Sequence, residues 1–304
     1  MMAAGGSNGK AHRFGGDWTN AKLKVLKGYL ESYTHALKNS PFRKGYIDTF
    51  AGTGYRDTYR NDTDNPSLMF PDLAEEEPQG LLEGSASIAL KTEPRFDKYI
   101  FIERSGKRCA ELDALKQEFP DQAEDIEVRQ GDANQEIQAL CDTSKKNWSS
   151  HRAVLFLDPY GMPVEWVTIE AIAATKAIDL WLLFPLGIGV NRLLKKSGDI
   201  PASWRARLNA LFGTEDWYDE FYKVEKTQDL FGNEQEHVEK ATMETIARYF
   251  NDRLKTIFEG VVDQPGVLKN KVNCPLYLLC FAVGNKEGKD IALRIANHLL
   301  KEVR

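Results

Sequence analysis

Four strand-like segments of this sequence carry an acidic residue at or near their ends. The segments are "YIDTF", "YIFIE", "DIEVRQGD" and "RAVLFLD", and their acidic residues are Asp48, Glu103, Asp132 and Asp158. In an open α/β sheet, ligands bind beyond the carboxyl ends of the parallel strands. If these segments are strands, the carboxylates meet at one edge of a sheet, where they can accept hydrogen bonds from hydroxyl and amino groups.

The turn after Asp48 is one that a ligand can approach closely. It consists of Phe50, Ala51, Gly52, Thr53 and Gly54. Glycine has no side chain to block a ligand, and the amides of such a turn can face a carboxylate or a phosphate. The two glycines are weak evidence alone, because many turns between a strand and a helix contain two.

Two of the acidic residues predict contacts with an adenosine-like ligand. Glu103, which Arg104 follows, is placed to accept hydrogen bonds from both hydroxyls of a ribose. Asp132, with Ala133 beside it, is placed to accept a hydrogen bond from an adenine amino group. A carboxylate at the end of a strand can instead cap the following helix, and the sequence leaves this alternative open for each of them.

The segment "DPYG" predicts the group that acts on a substrate. Asp158 and the backbone carbonyl of Pro159 are expected to accept hydrogen bonds from a target amino group, whose nitrogen then becomes a better nucleophile. Tyr160 is expected to stack on the target ring, and base–aromatic stacking contributes roughly 1–3 kcal/mol. A target inside a duplex would have to be flipped out of its stack to reach this segment.

The periodicity of apolar residues predicts an α/β fold. From Trp18 to about Lys38 they recur at three- and four-residue spacing, which is typical of an amphipathic helix. After it, strand-like and helix-like segments alternate, which favours a mostly parallel sheet with right-handed crossovers. The sequence therefore predicts a Rossmann-like sheet of about seven strands, with an N-terminal helix in front of it and an inserted lobe.

The same pattern predicts how the chain is divided. A Gly-rich, polar stretch over 1–17 is expected to be a flexible tail, and the main α/β domain is expected to span 18–188 plus 258–304. Residues 57–83 are acidic and contain prolines, which favours a surface loop inserted in the first crossover. Residues 189–257 are expected to form a mostly helical insertion.

Several motifs together resemble the three-Cys-motif partner protein family (TcmP). They are "YIDTFAGTG", "EGSASIAL", "FIERS", "FLDPYG" and "YLLCFAVGNKEGKDIALRIANHLL". The resemblance runs from about Trp18 to the C-terminus. It implies a Rossmann-like class I methyltransferase fold that binds S-adenosylmethionine (SAM). It also implies a separate partner with a three-cysteine motif, similar to radical-SAM proteins.

The "DPYG" segment is similar to the D-P-F-G of tRNA guanine-N2 methyltransferases. It departs from the D/N-P-P-Y of most amino-methyltransferases that act on adenine and cytosine, because Tyr160 stands where the second proline would be. The resemblance therefore implies methyl transfer to an exocyclic amine of a nucleic-acid base, with RNA favoured over DNA, and it does not favour the adenine-N6 reaction.

Composition and charge limit the remaining classes. The chain has 304 residues, 42% hydrophobic and 28% charged, which is typical of a water-soluble globular protein. We expect a cytoplasmic protein with reduced cysteines, no metal site and no membrane span, because the start has no secretory signal and no apolar stretch is long enough. The net charge is −5, but residues 18–45 and 192–207 are locally basic, which predicts nucleic-acid contacts or two ordinary solvated helices.

Three other functions stay open at this point. The chain could be a non-catalytic partner or adaptor protein with a methyltransferase fold, or it could methylate a protein or a small molecule. A nicotinamide oxidoreductase is disfavoured, because Asp57 stands where the third glycine of G-x-G-x-x-G would be.

Overall fold

The apolar segments form the strands of one mixed sheet in a computed structural model that describes residues 17–49, 80–159, 164–228 and 234–303. Its strands are β1 (Arg43–Thr49), β2 (Lys98–Glu103), β3 (Ile126–Gln130), β4 (His151–Leu157), β5 (Ile178–Phe184), β8 (Gly260–Val261), β9 (Gly266–Lys269) and β10 (Pro275–Val283). Strands β6 (Tyr222–Gln228) and β7 (Glu234–Lys240) form a separate antiparallel hairpin.

The strand order of the sheet is β3-β2-β1-β4-β5-β10-β8, and β9 also pairs with β10. Strands β1 to β5 are parallel to one another, whereas β10 runs antiparallel to β5. The order reverses between β1 and β4, and such a switch point is where open α/β sheets bind ligands. The chain therefore has the Rossmann-like, mostly parallel sheet that its sequence predicts.

Helices cover both faces of this sheet. They are α1 (Asp17–Ala36), α2 (Gly80–Leu90), α3 (Gly106–Glu118), α4 (Ala133–Cys141), α5 (Trp166–Ala174), α6 (Asn191–Leu193), α7 (Ala202–Phe212), α8 (Trp217–Phe221), α9 (Met243–Lys255) and α10 (Lys289–Leu300). Buried side chains of α1, α2, α3 and α10 form the core on one face. Those of α4, α5 and the insertion form the core on the other. Strands with a helical layer on each side are buried on both faces, which explains their near-continuous apolar sequences.

The insertion contains more than helices. A π-helical turn, Leu186–Val190, follows β5 and leads through α6 to α7, and the β6–β7 hairpin then separates α8 from α9. The sequence prediction of a mostly helical lobe missed this hairpin. We call the segment from Leu186 to Lys255 the lobe.

The end of the sheet also differs from the prediction. The segment "VVDQPGVLKN" contributes to two short strands, β8 and β9, and the sheet has eight strands where about seven were expected. Pro265 lies between them, and a proline cannot donate the backbone hydrogen bond that a continuous strand requires.

Helix α1 is attached to the sheet near the amino end of β5. Tyr29 Oη donates a hydrogen bond of 2.7 Å to Asp179 Oδ2, and both residues are buried. Burial, more than any other influence, raises the pKa of Asp179 from its ordinary 3.8 to about 7, although Tyr29 and Arg152 act in the opposite direction. A carboxylate thus lies inside the protein at the sheet edge opposite to the one where the sequence places the candidate site.

Other expectations concern cysteines, metals and membranes. The four cysteines are free thiols, and Cys274 is the exposed one among them. Within the described ranges, His, Cys, Asp and Glu side chains do not gather in groups of three or more that could hold a metal ion. No helix in the described part of the chain has the length and apolar character needed to cross a membrane.

Candidate active site

The carboxyl ends of the central strands lie side by side. Thr49 at the end of β1 is paired with Ile102 of β2 and with Leu157 of β4. Glu103 is paired with Gln130, the last residue of β3. The four acidic residues of the sequence analysis are therefore at one edge of the sheet, as predicted. This edge includes the switch point between β1 and β4.

One carboxylate oxygen of Glu103 makes no hydrogen bond to a described residue. Its Oε1 accepts a hydrogen bond of 2.7 Å from the backbone N–H of Ser105. Its Oε2 is buried, makes no hydrogen bond among the described residues, and lies 3.9 Å from Arg108 Nη1. Burial raises the pKa of Glu103 above its ordinary 4.5. A buried carboxylate oxygen that lacks a donor is suited to accept one from a ligand hydroxyl, since leaving such a group unsatisfied is unfavourable.

Asp132 acts as a helix cap. Its Oδ1 accepts backbone hydrogen bonds from Asn134 at 3.0 Å and Gln135 at 3.3 Å, at the first turn of α4. The capping alternative is thus confirmed for this residue, and both bonds engage the same oxygen. Asp132 is exposed and Ala133 is buried beside it, so the contact with adenine stays a prediction.

Asp48 lies deeper than its neighbours at this edge. It is buried, and Tyr46 Oη donates a hydrogen bond of 2.8 Å to its Oδ2. Burial raises its pKa from 3.8 to about 7, against the hydrogen bonds from Tyr46 and Ser85, and the charge of Asp158 adds to the rise. Asp48 therefore differs from Asp132, which is open to solvent.

Asp158 is paired with a buried lysine of the first helix. Lys22 Nζ donates a hydrogen bond to Asp158 Oδ2, and the exposed fractions of the two side chains are 0% and 11%. The ammonium also lies 5.1 Å from the centroid of the Trp18 ring. This pair places the lysine at the carboxyl end of β4, at the start of "DPYG".

The sequence analysis missed the role of Lys22. It counted this lysine with a basic segment that was expected to face phosphates or solvent. The position of Lys22 in the sequence could have indicated its role. Val25, Leu26 and Tyr29, at spacings of three, four and seven residues after it, are buried. Residues at these spacings share one face of a helix. A lysine whose ammonium is buried on the apolar face of a helix requires a compensating partner, which for Lys22 is Asp158.

The remaining predicted site residues divide into two groups. Pro159 is buried and Arg104 is exposed, each directly after the strand end that the sequence indicates. The others lie outside the described residues: Phe50, Ala51, Gly52, Thr53, Gly54 and Tyr160.

The segment that follows "DPYG" is tied to α4. Asn134 Oδ1 accepts a hydrogen bond of 3.1 Å from the backbone of Glu165 and one of 2.8 Å from Thr168 Oγ1. Gln138 Nε2 donates to the same hydroxyl at 2.9 Å. These bonds connect the chain just downstream of Tyr160 with the helix that Asp132 caps.

Trp166, the first residue of α5, is enclosed by the lobe. The guanidinium of Arg253 lies 4.3 Å from the centroid of its ring, and Phe250 packs edge-on against it at 6.5 Å. Gly213, which has a φ of +67°, is so close that a Cβ there would overlap the indole. Asp158 and Trp166 are therefore both held by buried contacts, and Tyr160 lies between them in the sequence.

Comparisons with known proteins add little to this geometry. No protein-family model matches the sequence, and no curated protein matches it. Among solved structures, a DUF574 family protein from Streptomyces avermitilis is 9% identical, with 88% of this chain and 87% of that chain covered and a TM-score of 0.31. A likeness this weak supports no conclusion about function. The resemblance to TcmP therefore stays a sequence-based interpretation, and the fold assignment rests on the observed strand order.

Proposed function

We propose that this protein is a SAM-dependent methyltransferase that acts on an exocyclic amino group of a nucleic-acid base. The observation that supports it most is the buried Oε2 of Glu103, which makes no hydrogen bond to a described residue and lies at the same sheet edge as Asp158. An acid that ends the second strand is the group that binds ribose hydroxyls in folds with this strand order. The antiparallel β10 stands where the dinucleotide-binding order continues with a sixth parallel strand, which disfavours a nicotinamide cofactor.

The described residues fit the adenosine part of SAM. Glu103 would bind the ribose through Oε2, and Asp132 together with Ala133 would contact the adenine. The glycine turn after β1, with Gly52 and Gly54, completes this cofactor site in the proposal. When bound, SAM supplies a methyl group on a positively charged sulfur.

Asp158 would bind the substrate. Lys22 engages Oδ2, which leaves Oδ1 to accept a hydrogen bond from the target amino group. The carbonyl oxygen of Pro159 would accept a second bond from the same nitrogen, and Tyr160 would stack on the ring. Two such bonds draw the lone pair of the nitrogen out of conjugation with the ring and fix its direction. Most of the rate enhancement in such a site comes from positioning.

The proposed substrate and partner are based on the sequence resemblances described above, and the geometry of the site does not contribute to them. We propose RNA as the favoured nucleic acid, and membership of the TcmP family with a radical-SAM-like protein of three-cysteine motif as the partner. The locally basic segments 18–45 and 192–207 are the candidate contacts for the nucleic acid.

A non-catalytic adaptor is the second candidate, and the Lys22–Asp158 pair favours it. A buried ion pair can be structural, and in that case Asp158 has no need of a substrate. The two functions differ in one respect, because the adaptor requires no transfer of a methyl group.

Calorimetry and methyl transfer together test the proposal. We expect SAM and its demethylated product to bind and NAD not to bind. Labelled methyl groups should then pass to bulk tRNA or rRNA, with or without the partner. Binding of NAD in preference to SAM would refute the proposal, and SAM binding without any transfer to RNA, DNA or lysate would favour the adaptor.

A further inference from the structure

The structure distinguishes the two basic segments that the sequence predicts. In the N-terminal segment, four lysines have carboxylate partners: Lys22 with Asp158, Lys24 with Glu302 at 2.6 Å, Lys27 with Glu31 at 3.9 Å, and Lys44 with Asp97 at 3.3 Å. Each of these charges is at least partly compensated within the protein. Lys38 and Arg43 of the same segment are exposed and make no ion pair with a described residue, so the segment has less free positive charge for a polyanion than its sequence suggests.

Three lysines of the lobe make no ion pair with a described side chain. Lys195 and Lys196 are exposed, and Lys240 from the end of β7 joins them. Lys240 Nζ donates a hydrogen bond of 2.7 Å to the carbonyl oxygen of Asn191. Burial lowers the pKa of Lys240, and the nearby charge of Lys196 lowers it further. Like charges held close together without a carboxylate create a positive potential that attracts anions.

The turn that carries this cluster is built into the lobe. Tyr222 Oη donates 2.8 Å to the carbonyl oxygen of Lys195, and Tyr218 Oη donates 2.9 Å to that of Gly198. Lys195 also lies 5.5 Å from the centroid of the Trp204 ring. These contacts fix the backbone of the turn and place the ammonium of Lys195 beside an aromatic ring. We call Lys195, Lys196 and Lys240 the lobe cluster.

The lobe begins at the edge of the sheet that carries Asp158. Its π-helical turn, Leu186–Val190, starts two residues after the carboxyl end of β5. Gly187 in this turn packs so closely on the backbone of Pro275 that a side chain there would overlap the carbonyl oxygen. Because β4 and β5 are parallel neighbours, the root of the lobe and the start of "DPYG" belong to the same edge.

We propose that the lobe cluster binds the phosphate backbone of the nucleic acid whose base enters the site at Asp158. This inference rests on the proposed function and names the surface that holds the substrate. Phosphate contacts by lysine fix the position of a strand without reading its sequence, and the counterions that they release make binding depend on salt. Lys22, Lys24, Lys27 and Lys44 are less suited to this part, because each has a carboxylate partner.

A charge-reversal pair with a matched control tests this surface. The variant Lys195→Glu/Lys196→Glu is compared with Lys145→Glu/Lys146→Glu, a second pair of adjacent exposed lysines, which precedes β4 at the opposite edge of the sheet. The probe is a fluorescent single-stranded oligouridylate, titrated at several salt concentrations. We expect the lobe variant to bind at least about 10-fold more weakly, with a salt slope lower by about 1.4, which is two contacts at about 0.7 each.

The outcomes separate this inference from the proposed function. Equal losses in the two variants, or no loss in the lobe variant, would overturn the inference. Tighter binding of polyglutamate than of the oligouridylate would also overturn it, because the cluster would then fit an acidic protein. Calorimetry with SAM on the same variants reports on the methyltransferase proposal alone. If RNA binds through the lobe cluster while SAM does not bind, the cluster is a nucleic-acid surface and the proposed methyl transfer fails. Thermal denaturation of each variant shows whether it is folded.

Discussion

Lys22, on the first helix, donates a hydrogen bond to Asp158, which follows the fourth strand of the sheet 136 residues later in the sequence. The lysine side chain is completely buried and 11% of the aspartate side chain is exposed. This pair links the N-terminal helix with the residue that we propose binds the substrate. The same contact therefore attaches the helix and holds Asp158.

Replacing Lys22 by methionine should destabilise the protein strongly. Lys22→Met leaves a nearly buried carboxylate without its partner, and removing one member of such a pair lowers the free energy of unfolding by about 3 kcal/mol or more. Urea denaturation measures this change. Lys24→Met is the control, because its pair with Glu302 is exposed and such pairs contribute about 1 kcal/mol at most. Similar losses in both variants would contradict a buried pair.

Glu103→Gln should weaken the binding of SAM. The substitution keeps the shape of the side chain but removes the charge that would accept hydrogen bonds from the ribose. Hydrogen bonds to charged groups contribute about 1.5–3 kcal/mol, so we expect a loss of affinity of roughly 10- to 100-fold in calorimetry. Glu118→Gln, at the exposed end of α3, should leave the affinity unchanged. Unchanged affinity in the Glu103 variant would remove the main support for the cofactor site.

The buried Asp179 should make stability depend on pH. Its pKa is about 7 in the folded protein and near 3.8 when the chain is unfolded, so between these values the folded state holds a proton that the unfolded state has released. Stability therefore falls as pH rises from about 4 to about 7. Asp179→Asn removes this contribution. Relative to the wild type, the free energy of unfolding of the variant should therefore rise by up to about 1.4 kcal/mol for each pH unit over this range.

Asp142→Asn is the control for this pH series. Hydrogen bonds from Ser144 and Lys145 lower the pKa of Asp142 to about 2. This carboxyl therefore titrates below the pH range of the series. Its variant should follow the wild-type profile between pH 5 and pH 7. An Asp179 variant with the same profile as the wild type would show that this carboxyl does not titrate in the range.

Alanine at Gly213 should be unfavourable. The residue has a φ of +67°, and a Cβ would overlap the ring of Trp166, so Gly213→Ala combines backbone strain with overpacking. We expect a loss of about 1–3 kcal/mol in the free energy of unfolding and a shift in the tryptophan fluorescence. Gly288→Ala is the matched control, because open space surrounds that position. A neutral Gly213 variant would mean that the lobe is not held against α5.

The sheet could be predicted from the sequence because each strand is recognised from its own residues. Strands that are buried on both faces require continuous apolar residues, so β2, "KYIFIE", could be placed at its observed bounds. The acidic residues at the strand ends were also predicted at one edge, since parallel strands have their carboxyl ends together. The sequence could not distinguish a helix cap from a ligand contact at Asp132 and Glu103, because both roles require the same residue type.

Other features depend on contacts between distant parts of the chain. The pairing of Lys22 with Asp158 could not be derived from either segment, although the position of the lysine on an apolar helix face indicated that a partner exists. The β6–β7 hairpin was missed because its sequence is polar, with the exposed Val224 among its residues. A strand that faces solvent lacks the apolar pattern by which strands are recognised.

The attachment of α1 has a consequence for synthesis on the ribosome. This helix is synthesised before the sheet, yet the carboxylates that Lys22 and Tyr29 bind belong to residues 136 and 150 positions further along. Until β4 and β5 have emerged, the nascent chain exposes an apolar helix face with a lysine in the middle of it. Helix α1 is therefore translated before β4 and β5 but can complete its docking only after them.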